Sequence, residues 1–496
     1  MATDNTGQLT FRSGSGRWTI LATVLGSGLA ALDGTVVGIA LPAIGKQFHA
    51  DVASLQWVVT GYTLSLAGLL LLGGSLGDRF GRRRVFIVGV AWFAVASVFC
   101  GIAPSAGFLV AARILQGAGS ALLTPGSLAI LEASFVPEDR GKAIGAWSGF
   151  GGLATAIGPF LGGWLIQAVS WRLVFFINPP LAAAVIVIVA RHVPESRDET
   201  MSGRIDYVGA GLVTLALTGL TFGLIKAGSA GWTSGTVVGA LVIGAASLVV
   251  FVKVERTHPM PLLPLGIFRS IQFTAANAVT FVVYAALGGG LFLLPIELQV
   301  VAHYSPIASG AALLPVTFIM LGLSARSGDL AARIGPRLQM SIGPLIIAAG
   351  MIMLTRAGPT GSYLSSVLPG VVVFGLGLAV NVAPLTSTVL AAAPAEHAGI
   401  ASAVNNDVAR TAGLIAVAVL PVAAGITGRA YLDPVRLDHG FSVALYIAAG
   451  MCAGGGLLAA LTIRNPEGTR RSKVLAATGS HCAIEGPPLR TPASAG

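Results

Sequence analysis

Along the chain, runs of about twenty apolar residues alternate with short polar breaks that carry glycine or proline. A helix needs roughly 20 apolar residues to cross a hydrocarbon layer about 30 Å thick. Splitting the longer runs at Gly/Pro turns, this rule predicts about fourteen transmembrane helices, at 18–41, 55–76, 85–103, 107–131, 143–165, 172–190, 207–226, 235–253, 271–295, 306–325, 338–355, 362–384, 398–425 and 441–463. The fold class that follows is an all-α polytopic membrane protein.

Composition agrees. Of the 496 residues, 54% are hydrophobic and only 10% charged, and mean hydropathy is +0.82. A soluble domain carries about a quarter charged residues because its surface faces water, so a soluble enzyme is excluded. The 66 glycines lie inside apolar runs without a triplet period, which fits close helix packing rather than a fibre. The formal charge of +10 does not point to nucleic acid, because the basic residues cluster between the apolar runs. With a cytoplasmic N-terminus, 22 of the 30 Lys and Arg fall in inner segments and six in outer ones, namely Lys46, Arg172, Lys226, Arg356, Arg429 and Arg436. The positive-inside rule then predicts a multi-pass cell-membrane protein with both termini in the cytoplasm. Cys100, Cys452 and Cys482 are far apart, the histidines are scattered, and no P-loop or catalytic triad pattern occurs. No metal, cofactor or enzymatic activity is expected. The first apolar run is too long for a signal peptide and lacks a small-residue cleavage site.

Two internal echoes suggest a duplicated architecture. Gly117-Ala118-Gly119, Pro125 and Pro137–Gly141 recur loosely as Gly375-Leu376-Gly377, Pro384 and Pro394–Gly399, and Gly77–Arg83 is echoed by Gly328–Arg337. Parallel repeats of this kind are expected where two bundles surround a central path. The predicted organisation is an N-tail (1–17), a six-helix bundle (18–190), a cytoplasmic loop (191–206), a two-helix insert (207–253), a second loop (254–270), a six-helix bundle (271–463) and a C-tail (464–496).

The segment from Gly74 through Gly77, Asp78, Arg79, Gly81, Arg82 and Arg83 to Arg84 is more specific than a basic loop. Its glycines permit a tight turn, Asp78 can cap the next helix, and the arginines can reach acids on neighbouring helices. It resembles the signature loop of the major facilitator superfamily. Further segments resemble that superfamily's fourteen-helix drug:proton antiporter branch. They are Leu32-Asp33-Gly34 through Pro42, Arg113–Gly119 with Pro125, Gly158-Pro159-Phe160-Leu161-Gly162-Gly163, and Trp171–Pro180. The likeness extends to about residue 464. Gly38, Ala154 and Ala332 depart from it, standing where Asn, Gly and Asp respectively are usual or would match.

The resemblance implies a secondary transporter of major-facilitator-type fold. It would export lipophilic small molecules such as drugs or antibiotics in exchange for protons, with the proton gradient as its energy source. A dedicated exporter of one metabolite or self-made antibiotic is the alternative, and a non-transporting sensor is a weaker one. The expected partners are a small-molecule substrate, protons and the lipid bilayer, with no nucleic acid and a monomeric state.

Asp33 lies inside the first predicted span. A charge there costs at least ~2.5–3.5 kcal/mol unless partnered or protonated, and intramembrane ionisable groups are functional by default. Arg113 on the fourth helix is its natural partner. Asp407 and Arg410 are three residues apart on one helix face and can neutralise each other; Asp407 is retained as a proton-coupling candidate with Asp33 and Arg113. Glu132 is expected near Arg79, Arg82 and Arg83 in a charge latch. Glu297 reads as an interfacial residue. Trp57, Tyr62, Gln116 and Asn405 are candidates for the substrate path, with Trp147 and Trp164 as further aromatics.

Overall fold

A computed structural model describes residues 8–197, 205–259, 261–359, 361–393 and 398–465. The Pro394–His397 part of the first echo, the end of the loop at Arg204, and the C-tail from residue 466 with Cys482 lie outside the described residues. Among the described residues, fourteen helices are long and apolar enough to span a membrane. They are α1 (Gly14–Phe48), α2 (Val52–Phe80), α3 (Arg82–Gly101), α4 (Ala106–Ser134), α5 (Pro137–Ala168), α6 (Leu173–His192), α7 (Tyr207–Ala230), α8 (Gly235–Thr257), α9 (Ile271–Val300), α10 (Pro306–Ile334), α11 (Pro336–Leu354), α12 (Tyr363–Ala391), α13 (Ala398–Ala423) and α14 (Pro434–Thr462). Several start earlier or end later than the apolar runs. Their ends are set by caps, which a hydropathy window does not register. Ser13 accepts from Gly16 N, Asp51 from Ser54 N and Ser270 from Phe273 N, each satisfying a donor that the first helical turn leaves free.

The two halves repeat in three dimensions. Between α2 and α3, Gly81 adopts φ +108°, and between α10 and α11, Gly335 adopts φ +86°, a region that glycine enters without strain. After each glycine, an arginine reaches back to the last turns of the half. Arg83 donates to Ala190 O at 2.6 Å, and Arg337 donates to Ala460 O at 2.9 and 2.6 Å. The first backbone N–H groups of α3 and α11 are capped from afar. Glu195 accepts from Arg83 N and Asn465 accepts from Arg337 N, both at 3.1 Å. Asp78 therefore does not cap α3 as its position in the loop suggested; it pairs with Arg82 at 2.8 Å, one helical turn on. Gly119 and Gly377 play matching parts. A Cβ on either would lie 2.7 Å from Phe93 N or 2.6 Å from Ile347 N, so α3 with α4, and α11 with α12, approach backbone to backbone.

Helices α7 and α8 form a hairpin pressed together at Gly219 and Gly244, where an added Cβ would come within 2.9 Å of the facing helix's backbone. The hairpin lies outside the seam between α2 and α13. Thr214 of α7 donates to Gly68 O of α2 at 3.2 Å, and Leu217 packs with Leu64, Ala67 and Leu414.

An even number of crossings places both ends of the described chain on one face. The halves are clasped at the opposite face. Gln56 donates to Val417 O at 2.6 Å, Gln299 to Ile39 O at 3.0 Å, Val52 N to Gly428 O at 2.9 Å and Tyr431 to Ala50 O at 2.8 Å. Toward the side bearing the termini α5 is less enclosed: a Cβ on Gly141, Gly145, Gly149 or Gly152 would meet no atom within 4 Å.

Candidate functional site

Asp33 is the twentieth of the 35 residues of α1, just past mid-helix, and is 2% exposed. Its Oδ2 forms an ion pair with the Arg113 guanidinium from α4. Its Oδ1 accepts from Gln116 Nε2 at 2.8 Å and Asn178 Nδ2 at 3.4 Å. Ser97 of α3 accepts from the same two amides, at 2.8 and 3.2 Å. Arg113 also donates to Gln116 Oε1 at 2.6 Å and to Val58 O at 3.0 Å, and lies 4.3 Å from the centre of the Tyr62 ring. Tyr62 in turn bonds Ser120 at 2.9 Å. Five helices of the first half thus converge on one carboxylate.

This is a buried acid with many fixed partners. Burying such a pair is costly, and removing one member costs about 3–5 kcal/mol because the other is left uncompensated. A proton arriving at Asp33 would cancel its charge and free Arg113 to redistribute over Val58 O, Gln116 Oε1 and the Tyr62 face.

Among the described residues, the second half has no such network at the matching positions. Aligning the caps Ser13 and Ser270 sets Gly290 opposite Asp33; aligning Gly117 with Gly375 sets Val371 and Phe374 opposite Arg113 and Gln116. Aligning Gly81 with Gly335 sets Met351 and Leu354 opposite Ser97 and Cys100. Gly290, Met351, Leu354 and Phe374 line a small apolar cavity there with Leu294 and Leu445. The packing positions recur in the second half, with hydrocarbon where the first half holds charges.

The antiporter-like segment of α5 lies against the site. A Cβ on Gly158 would come 3.3 Å from Cβ of Thr35, and one on Gly162 3.3 Å from Cβ of Val36, two and three residues beyond Asp33. The next glycine points the other way: a Cβ on Gly163 would lie 2.7 Å from Ile307 Cα of α10, and the Pro159 backbone faces Gly310. α5 is a thin wedge between the α1 acid and the second half.

Residues 23–418 match the family model described as Major Facilitator Superfamily. The chain belongs to the Major Facilitator Superfamily. It is 38% identical over 405 residues to the tetracenomycin C resistance and export protein of Streptomyces glaucescens, covering 82% of this chain and 75% of that one. It is 36% identical to the puromycin resistance protein of Streptomyces alboniger, covering 88% and 89%, and 35% identical to a multidrug resistance protein, Stp, of Mycobacterium tuberculosis, covering 81% and 74%. Among solved structures, a POT-family peptide transporter with bound sulfate superposes with a TM-score of 0.67 at 13% identity, covering 94% of this chain and 100% of that one, which shows the shared fold. As a Major Facilitator Superfamily member the chain is a membrane transporter, and these relatives are named for antibiotic or multidrug resistance and export.

Within this superfamily chain the remaining sequence candidates disperse. Gln116 and Tyr62 are buried in the Asp33 network rather than in an open path. Trp57 packs on Phe222, with 6.3 Å between ring centres, in a groove between α2 and α7 that also holds Asp51 and Lys226. Asn405 donates to Asn277 at 3.0 Å and Thr280 at 2.8 Å, tying α13 to α9. Trp147 donates to Ser27 at 2.8 Å, and Trp164 is exposed. No ion pair joins Asp407 to Arg410 among the described residues; Asp407 Oδ1 and Arg410 Nε are buried without hydrogen-bond partners, and Arg410 lies within electrostatic reach of the Tyr62 phenol across the seam. Glu297 is fully buried, not interfacial. Glu132 lies within electrostatic reach of Arg82, which pairs with Asp78; Glu195 lies 3.6 Å from Arg84 and caps α3. Sequence reasoning missed Ser97, Asn178 and Glu195. Asn178 sits inside the quoted Trp171–Pro180 motif, whereas Ser97 and Glu195 carry no local signal.

Proposed function

We propose that the chain exports lipophilic small molecules, drugs and antibiotics among them, in exchange for protons, by alternating access. The buried Asp33–Arg113 pair, set beside the α5 glycines that touch both halves, carries this reading. Proton uptake by Asp33 weakens its bonds to α4 and α6, and the change reaches the α5–α10 contact through Thr35 and Val36. The names of the relatives support drug and antibiotic cargo. The proton gradient supplies the energy, no resident cofactor is needed, and the working unit is a monomer. In inverted membrane vesicles, an imposed pH gradient should drive accumulation of several unrelated drugs. Accumulation unaffected by collapsing the gradient would rule out proton exchange.

A narrower reading, export of one antibiotic or metabolite, is favoured by the relative named for tetracenomycin C alone. It predicts that only one chemical class in the same panel accumulates. The Lys/Arg distribution supports cytoplasmic termini. On a background lacking Cys100, Cys452 and Cys482, an impermeant thiol reagent applied to intact cells should label a cysteine at Ser234 and spare one at Thr257.

The loop from Gly74 to Arg83 acts in this proposal as a conformational switch, with Asp78–Arg82 and Glu195–Arg84 holding the termini-bearing face. The Asp78–Arg82 pair is partly exposed, so its loss changes stability by at most ~1 kcal/mol. Asp78→Ala is expected to slow turnover several-fold while substrate affinity stays near wild type. Equal turnover with weakened binding would instead place Asp78 at the substrate site.

A further inference from the structure

Away from the Asp33 site, two acids meet inside the molecule, at the termini-bearing end of the α7–α8 hairpin. Asp206 caps α7 and Glu255 lies in the last turns of α8; they are 2% and 3% exposed. One oxygen of each is committed to the backbone. Asp206 Oδ1 accepts from Gly209 N at 2.7 Å, and Glu255 Oε2 accepts from Leu263 N at 2.9 Å. The other two oxygens, Asp206 Oδ2 and Glu255 Oε1, are buried with no donor. They converge above Gly209: a Cβ there would lie 2.5 Å from the first and 2.7 Å from the second.

Two ionised carboxylates cannot face each other in such a place, because like charges at close range and lost hydration both oppose it. One proton between the free oxygens gives each the partner it lacks, as in carboxyl dyads that titrate as a unit. Among the described residues, the titratable groups acting on Glu255 are Asp206 and His258, while Lys253 and Arg256 on the same helix are exposed. The consequence of the pairing lies in Leu263. This residue belongs to the segment linking α8 to α9, packs against the large hydrophobic core built from both halves, and is tied by its N–H to Glu255.

We propose that Asp206 and Glu255 bind one shared proton, and that this proton latches the α8–α9 link, through Leu263, to the foot of the two-helix insert. The latch is separate from the exchange reaction at Asp33 and does not depend on it. It holds while the proton is bound and opens as rising pH removes it, since two facing anions then push Glu255 away from Asp206.

The test uses the full chain in lipid nanodiscs with two conservative variants, Asp206→Asn and Glu255→Gln. Asn still caps α7 and Gln still accepts from Leu263 N, while each new amide N–H replaces the shared proton, so both variants keep the fold. Infrared difference spectra at neutral pH should show one protonated-carboxyl band in the wild type that is missing from each variant. Hydrogen exchange at the Leu263 amide, corrected for intrinsic pH dependence, should speed up about tenfold or more at alkaline pH in the wild type. It should stay flat in Glu255→Gln. His258→Gln is expected to move the midpoint of that change without abolishing it. Bands unchanged in both variants would overturn the shared proton, and so would a wild-type band that appears only after chelator treatment, which would mean a metal cation holds the pair. Parallel exchange curves in wild type and Glu255→Gln would overturn the latch.

Discussion

Asp33→Asn is expected to abolish uphill export while the chain still folds and inserts. Asn keeps the shape of Asp and can still bond Gln116 and Asn178, but it holds no exchangeable proton and leaves Arg113 without its counter-charge. Breaking a buried pair costs about 3–5 kcal/mol when nothing replaces the partner. Here Val58 O and Gln116 Oε1 remain as acceptors for the guanidinium at 3.0 and 2.6 Å, and the Tyr62 face lies beneath it, so the loss should fall toward the lower end. Gradient-driven accumulation should drop to background, while downhill movement of substrate persists. Wild-type accumulation by this variant would remove Asp33 from the coupling step. Arg113→Lys is a useful companion, because it keeps the charge but cannot hold Asp33, Gln116 and Val58 at once.

Gly163→Leu should be equally severe for a different reason. The α5 backbone meets α10 so closely that an added Cβ would lie 2.7 Å from Ile307 Cα and 2.8 Å from the Pro306 carbonyl carbon. Those are backbone atoms at the start of a helix and cannot step aside, so the clasp on the face opposite the termini cannot close. Overpacking of this kind costs about 1–3 kcal/mol where it is tolerated at all. Under the proposed alternating-access cycle, which closes this seam on every turnover, transport is expected to fall to background. A cysteine at Val417, buried in the companion seam, should become more reactive to thiol reagents in the Gly163→Leu background. Gly239→Leu is the control, since a side chain at that position of α8 meets nothing within 4 Å. Normal transport by Gly163→Leu would show that the α5–α10 contact is not part of the cycle.

Much of this architecture is legible in the order of residues. The thickness of a bilayer converts directly into residues per helix, so apolar runs alone yield fourteen spans. The turn at Gly81 is legible because a glycine-rich break between two helices has few physical solutions. An acid and an arginine inside apolar runs must find each other, so Asp33 and Arg113 can be matched across 80 positions. The helix ends are less legible because they depend on single hydrogen bonds from Ser13, Asp51 or Ser270, which hydropathy does not weigh.

Tertiary structure alone decided which polar residues share a site. Spacing along a helix tells which side chains lie on one face; it says nothing of which neighbouring helix that face meets or at what height. Gln116 and Tyr62 therefore read as path residues from sequence and turn out to be partners of the buried pair, joined by Ser97 and Asn178 from helices whose rotation no local pattern reveals. Asp407 and Arg410, three residues apart, form no ion pair even so, because a shared helix face does not by itself bring two charged tips together. Glu195 caps a helix more than a hundred residues earlier in the chain. The meeting of Asp206 with Glu255 depends on the α7–α8 crossing at two glycines, which brings together carboxyl groups from the two ends of the hairpin sequence. Apolar length is a property of one segment at a time, and the sequence carries it openly. The pairing of charges belongs to the packed bundle, where each interaction requires two helices to be placed correctly at once.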